Sequence, residues 1–111
     1  MIEINDEVVE LLKVLGDSTR LGILLFIRKG EKSAKAIQKE LKKSQSTISQ
    51  HLKILLDSNL IEYDREGKKK LYSIKNREIL NIISKVQKYI IERHKETINE
   101  LSKLDIYDTL L

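Results

Sequence analysis

Ser44-Gln45-Ser46-Thr47-Ile48-Ser49-Gln50-His51-Leu52-Lys53-Ile54-Leu55 is the stretch on which the fold turns. Ser44 suits an N-cap, and the helix it opens is expected to run to about Ser58. With Gln45 set at 0° and about 100° added per residue, Gln45, Ser46, Ser49, Gln50 and Lys53 share one arc of about 140°. Ile48, Leu52 and Leu55 gather on another arc, near 280–340°. One face is therefore core. The other is a strip of uncharged hydrogen-bonding side chains with one lysine, and no carboxylate occurs from Lys42 to Leu56. That composition suits a DNA major groove: Gln can pair with both N6 and N7 of adenine, Ser can serve either edge, and Lys can address guanine or phosphate. The plainer alternative is a polar face turned to solvent. Serine is a mediocre helix former, however, and Ser46, Thr47, Ser49 and Ser58 in one helix call for another reason.

Upstream of this stretch the apolar period is helical. Val8, Leu11, Leu12 and Leu15 repeat by threes and fours over a helix from about Asp6, and Gly16 stands where a left-handed C-terminal glycine is expected. Asp17 suits the N-cap of a second helix with Leu21, Leu24 and Leu25 inward, ending at Gly30. Ser33 can cap a short third helix whose inner face is Ala34, Ile37 and Leu41. Downstream of Asn59 the period changes. Leu60–Asp64 and Leu71–Ile74 are short β-type runs around Arg65-Glu66-Gly67-Lys68, which reads as a hairpin. From about Asn76 to Leu104 a stretch without proline or glycine reads as one long helix, with Ile79, Ile83, Val86, Ile90, Ile98 and Leu101 at helical spacing. The tail Asp105–Leu111 carries no clear pattern. Four helices, a hairpin and a final helix (α-α-α-α-β-β-α) make a mainly α, winged helix-turn-helix order. The 111 residues are read as one domain, with a reading helix at 44–58, a wing at 60–74 and a last helix at 76–104.

The charge total hides its distribution. Twenty-one Lys and Arg against 17 Asp and Glu leave only +4, but residues 1–27 carry −3 and residues 28–53 carry +6. The remainder is nearly balanced, +1 over residues 54–75 and 0 over 76–111. A local +6 block beside an acidic segment is a footprint that can face an anionic polymer, or simply a solvated lysine-rich surface. The chain has no cysteine, which removes disulfides, thiolate metal sites and cysteine nucleophiles. No Ser/His/Asp set and no phosphate-cradling glycine loop is visible, so an enzyme is not expected. The N-terminal residues are acidic where a secretory signal would be basic, and the longest apolar run is Ile23–Ile27, far short of the ~20 residues of a membrane span. The expectation is a cytoplasmic protein without membrane contact.

Leu15-Gly16-Asp17-Ser18-Thr19-Arg20-Leu21 with Ile23-Leu24, the stretch Ser44–Leu55, and Arg65–Ile74 together resemble the ArsR-type (ArsR/SmtB) winged-helix transcriptional regulators. The resemblance covers roughly residues 8–75. It implies a dimeric DNA-binding regulator, usually a repressor released from its operator by an inducer. The sequence departs from that family in informative places. Many members carry two cysteines in the third helix, where Ser33 and Lys35 stand here, and an aspartate where Ala36 stands. A second family metal site uses a His-x-x-Glu pair on the last helix; here His94 is followed three residues later by Thr97. With two histidines in the chain, a metal-sensing site is not expected, and no cofactor is assigned. Lys43 replaces a residue that is usually hydrophobic in the family, and can reach a phosphate instead.

The resulting expectation is a sequence-specific, DNA-binding repressor acting as a homodimer on an inverted repeat. Base contacts are assigned to Gln45, Ser46, Thr47, Ser49, Gln50, His51 and Lys53. Wing and backbone contacts are assigned to Lys43, Arg65, Lys68, Lys69 and Lys70, although lysines at a hairpin edge also guard against aggregation. His51, near 240° on the wheel, stands between core and groove and can equally be structural. Arg20 is read as structural or as a backbone contact. The last helix has more apolar length than three short helices and a hairpin can cover, so a two-fold interface is expected from Val8, Leu11, Leu12, Ile83, Val86, Ile90, Ile98 and Leu101, with Ile2 and Ile4 nearby. His94 then lies on that interface or on the surface. A protein-interaction module and a non-specific architectural protein are the competing functions, and the effector is unassigned.

Overall fold

The structure, a computed structural model, describes residues 3–110, with side chains as far as Lys103. Ile2 lies outside these residues. The elements are α1 (Ile4–Leu15), α2 (Ser18–Ile27), β1 (Lys32–Ser33), α3 (Ala34–Leu41), α4 (Gln45–Asp57), β2 (Ile61–Glu66), β3 (Lys69–Ile74) and α5 (Glu78–Leu110). The chain divides into two compact units, one ending at Arg77 and one beginning at Glu78.

In the first unit α2, α3 and α4 start where the sequence supplies caps, whereas α1 begins after Glu3 without a side-chain cap. The Asp17 carboxylate accepts from the Arg20 N–H at 3.0 Å, Ser33 Oγ from the Ala36 N–H at 3.1 Å, and Ser44 Oγ from the Thr47 N–H at 3.2 Å. Each bond satisfies a backbone donor that the helix itself leaves open. The core is aliphatic: Ile23, Leu24 and Ile27 of α2, Ile37 of α3, Ile48, Leu52 and Leu55 of α4, then Leu60, Ile61, Tyr72 and Ile74. The buried set on α4 is the one expected from the 3.6-residue period. On α2 it is not: Leu24 is buried, but Ile23 and Ile27 join it while Leu21 and Leu25 are only half-buried. A central helix packed on more than one side has no single inner face to betray in its period. Space is tight where α2 meets α3, since a Cβ on Gly22 would stand 3.1 Å from a Leu41 methyl.

The expected order α-α-α-α-β-β-α lacks one element. β1 pairs antiparallel with β3, Lys32 opposite Tyr72 and Ser33 opposite Leu71, so the wing is a three-stranded sheet ordered β1-β3-β2. Two residues cannot display the alternation by which strands are read, and in sequence Ser33 shows only its capping role. The hairpin itself is longer than expected. Its register runs from Ile61 opposite Ile74 to Glu66 opposite Lys69, with Gly67 and Lys68 forming the turn. Gly67 takes φ +65°, the conformation that a two-residue hairpin turn with glycine first demands. Gly16 corrects a second expectation: its φ is −82°, so it is no left-handed cap. A Cβ there would stand 3.0 Å from the Leu12 carbonyl oxygen.

Left-handed backbone falls instead on Asn59, with φ 59°, and on Lys42, with φ 55° and ψ 46°. Its own N–H and that of Lys43 both donate to the Gln38 carbonyl, closing α3 and turning the chain into α4. An L-residue in this conformation costs about 1–2 kcal/mol against glycine's none. Lys42→Gly should therefore stabilise the protein by roughly 0.5–1 kcal/mol after the added freedom of its unfolded chain is counted. A higher urea midpoint at unchanged slope would show it, and a lower midpoint would mean the lysine side chain is needed there.

The second unit is α5, which begins at Glu78 rather than Asn76 and continues past Leu104 to Leu110. Ile79 and Ile83 near its start are buried. Val86, Tyr89, Ile90, Ile98 and Leu101 are exposed.

Candidate nucleic-acid interface

α4 follows α3 after the three-residue turn 42–44, with no proline or glycine in either helix. The polar strip of α4 is left uncovered: Gln45, Ser46, Ser49, Gln50 and Lys53 are all exposed. Thr47 is different: it is half-buried, and its Oγ1 accepts the Ser44 hydroxyl proton at 2.9 Å. Ser46 Oγ stands 3.2 Å from the same Ser44 hydroxyl. Part of the hydroxyl chemistry of this helix is thus spent on its own first turn. Lys43 is exposed, so the loss of an apolar residue there leaves no packing defect.

Glu62, Asp64 and Glu66 on β2 offset most of the wing's charge, but the register sets an acid opposite only one of its cations. Arg65 and Lys70 are directly opposite across β2 and β3, an arrangement that is unfavourable for an isolated hairpin. Glu66 opposite Lys69 at the tip relieves only one pair. Arg65, Lys68 and Lys69 are exposed, whereas Lys70 is half-buried with its Nζ 4.6 Å above the Tyr63 ring. Tyr63 faces Tyr72 in the register, their rings tilted at 53° with centroids 5.7 Å apart.

The β1–β3 pairing also brings the first turn of α3 beside the wing. An open cleft of about 590 Å³ is lined by Ser33, Ala34, Lys35, Ala36 and Lys39 on one side and by Lys68, Lys69, Lys70 and Tyr72 on the other. Five lysines line it and no acid does. Lys35 and Lys39 belong to the +6 segment but carry no role in the sequence reading; without β1, nothing in their spacing joins them to residues thirty positions away. Ser33 and Lys35, where the resemblance implies the family's two cysteines, and Ala36, where it implies an aspartate, all line this lysine cleft.

His51 is not in the exposed strip. Its Nδ1 lies 3.1 Å from an Arg20 guanidinium nitrogen and 3.7 Å from the Asp17 carboxylate. Arg20 in turn donates from Nε to the Val14 carbonyl at 2.7 Å and from its other terminal nitrogen to the Lys13 carbonyl at 3.1 Å. In sequence Arg20 and His51 stand 31 positions apart, and no local pattern links them.

Asp17 sits in the same cluster, and its carboxyl is held below the usual value of 3.8. The main cause is the Arg20 N–H bond, with the charges of His51 and Arg20 and the Thr19 N–H adding to it, while burial opposes. A depressed carboxylate contributes stability above pH ~3.8, and loses it as pH falls through the lower folded value. Asp17→Asn keeps a capping oxygen without the charge, so it should remove this acid-limb dependence below pH 4. Asp17→Ala should cost about 1 kcal/mol at neutral pH. Urea midpoints at pH 3 and pH 7 test both, and an unchanged acid limb in the Asn variant would contradict the assignment.

On α5, His94 borders a shallow depression with Ile90, Arg93 and Thr97, and no carboxylate lines it. Among the described residues no group of three or more His, Asp or Glu side chains is placed to hold a metal ion. Nor, among them, is any helix long and apolar enough to cross a membrane.

A helix-turn-helix with an exposed Gln/Ser/Lys strip, followed by a lysine-tipped hairpin, is a winged-helix arrangement of the kind that sets a helix in the DNA major groove. Residues 17–63 match the model of the bacterial regulatory protein, arsR family. The arsenical resistance operon repressor of Staphylococcus xylosus is 37% identical over 70% of this chain and 74% of its own length. An uncharacterized HTH-type transcriptional regulator of Methanocaldococcus jannaschii is 37% identical over 77% of this chain and 97% of its own. Among solved structures, the homodimeric winged helix-turn-helix DNA-binding domain from Mycobacterium bovis aligns with TM-score 0.72 and 29% identity, covering 80% of this chain and 82% of that one. The chain belongs to the ArsR family of DNA-binding transcriptional regulators.

Proposed function

We propose that this protein is a repressor that binds an inverted-repeat operator as a homodimer in the cytoplasm, α4 reading bases in the major groove and the wing holding phosphates. The observation that carries this reading is the α4 strip: five polar side chains exposed on one face, with Ile48, Leu52 and Leu55 buried on the other. A helix face with no carboxylate before Asp57 in its last turn costs little to bring against a polyanion, and its Gln and Ser side chains can tell base pairs apart. Arg65, Lys68, Lys69 and Lys43 supply the sequence-independent part of the affinity. Two-fold symmetry in the protein implies half-sites about one duplex turn (~34 Å) or a multiple apart.

The apolar stripe Ile4, Val8, Leu12 on α1, with exposures of 76, 46 and 58%, supports a dimer. Such a stripe on the surface of a small protein marks an interface. Val86, Ile90, Ile98 and Leu101 add exposed apolar surface on α5, and Leu11 is half-buried. Ile83, expected in the interface, is only 6% exposed in the single chain and has little surface to offer a partner.

The test is a salt titration of binding to a selected operator and to random duplex DNA. A regulator should bind both with steep salt dependence and prefer its own site by ~10³-fold or more. Equal affinity would identify an architectural protein. No binding at low salt would leave the protein-interaction reading.

A further inference from the structure

Arg20 makes three side-chain contacts to two other elements. It reaches the last carbonyls of α1 at Lys13 and Val14 and the imidazole of His51 in the middle of α4, while its backbone is capped by Asp17. A guanidinium has donors only. The ring nitrogen 3.1 Å from it must therefore accept, so Nδ1 of His51 carries a lone pair and Nε2 carries the ring's one proton. The α1 carbonyls that Arg20 takes are among those a helix leaves unsatisfied at its C-terminus, and its positive charge is favourable there. The guanidinium is thus held by two successive α1 carbonyls as it meets His51.

Resting on the proposed DNA reading, we propose that Arg20 is the positioning residue of α4: it fixes the helix to α1 and α2 through His51 and holds that imidazole as the Nε2–H tautomer. His51 is then a joint under the reading helix and not one of its base readers. The ring's proton is directed away from the joint, available to a DNA phosphate.

Long-range ¹H–¹⁵N spectra of the histidine rings in the full-length wild-type protein test the tautomer directly. The chain has two histidines, so a His94→Gln sample assigns the signals. The expected result is an unprotonated Nδ1 and a protonated Nε2 on His51 at pH 7.5. Arg20→Lys should return the ring to a mixture of tautomers while the thermal unfolding curve remains cooperative. The same variant should lower discrimination between selected and random DNA by about tenfold, the loss of one charge-assisted hydrogen bond, with the salt slope unchanged. His51→Asn, whose Oδ1 can replace Nδ1 as acceptor, should keep that discrimination, and His51→Phe should lose it. A protonated Nδ1 in the wild type, or an Arg20→Lys protein with the wild-type tautomer and discrimination, would overturn the proposal. If the wild type binds no DNA, the proposed function fails separately, and the spectra still decide whether the joint exists.

Discussion

Replacing Lys68, Lys69 and Lys70 together by glutamine should weaken binding to every DNA sequence by on the order of 10²-fold near 0.1 M salt, and should flatten the salt slope by about 2.7, at ~0.9 for each phosphate no longer neutralised. The wing favours this outcome because its register places only Lys69 opposite an acid, although Glu62, Asp64 and Glu66 offset most of its total charge. Arg65 faces Lys70 across the strands, and Lys68 stands in the turn. Held together without an anion, such cations repel one another; a phosphate chain releases that repulsion along with its counterions. The size of the slope change also reports on Lys70. Its ammonium lies over the Tyr63 ring, and if it stays there in the complex the slope should fall by only about 1.8. Gln50→Ala is the contrasting variant: it should change which bases are preferred, by about 1–3 kcal/mol at one position of each half-site, and leave the slope alone. Fluorescence anisotropy at several KCl concentrations, on selected and scrambled duplexes, measures both quantities. If the wing and helix variants behaved alike, the division of labour between phosphate and base contacts would be wrong.

Leu12→Glu should dissociate the dimer and lower affinity for the palindromic operator by on the order of 10³-fold, because a linked second half-site raises avidity by about 10²–10⁴. Leu12 is 58% exposed and joins no core contact that the single chain needs, in line with Ile4 and Val8 on α1. A carboxylate placed in a closed apolar interface is costly, and two-fold symmetry brings the same charge from both protomers. The folded monomer should survive, since the buried residues on α2, α3 and α4 are untouched. Sedimentation equilibrium gives the mass and circular dichroism the helix content. A variant that remained a dimer, or a monomer that kept full operator affinity, would remove α1 from the interface. Leu24→Ala is the useful opposite: its site is fully buried, so about 2–5 kcal/mol of stability should disappear and binding with it.

α3, α4 and the hairpin could be read from the chain because each is decided locally. Ser33, Ser44 and Asp17 cap by bonds to residues three positions on, the 3.6-residue period of Ile48, Leu52 and Leu55 has one solvent-facing side to contrast with, and Gly67 answers to the φ of its own turn. The exposed α4 strip was legible for the same reason. The inner face of α2 was not, because burial on several sides erases the period, and Gly16 misled because its small size serves a close carbonyl rather than a left-handed φ.

The rest depended on chain segments distant in sequence coming into contact. β1 is two residues long and exists because β3 offers it an edge; through it Lys35 and Lys39 meet Lys68 to Lys70 in one cleft, and a lysine-rich segment becomes a local concentration of positive charge. His51 carries on the helical wheel only the ambiguity of a border residue. Three donors of Arg20, reaching from α2 to α1 and α4, resolve it into an acceptor at a joint. Capping, periodicity and turn chemistry are short-range interactions and leave their mark within a few residues; pairing of strand edges and sharing of a guanidinium among three helices obey distances in space, which this sequence does not display until it is folded.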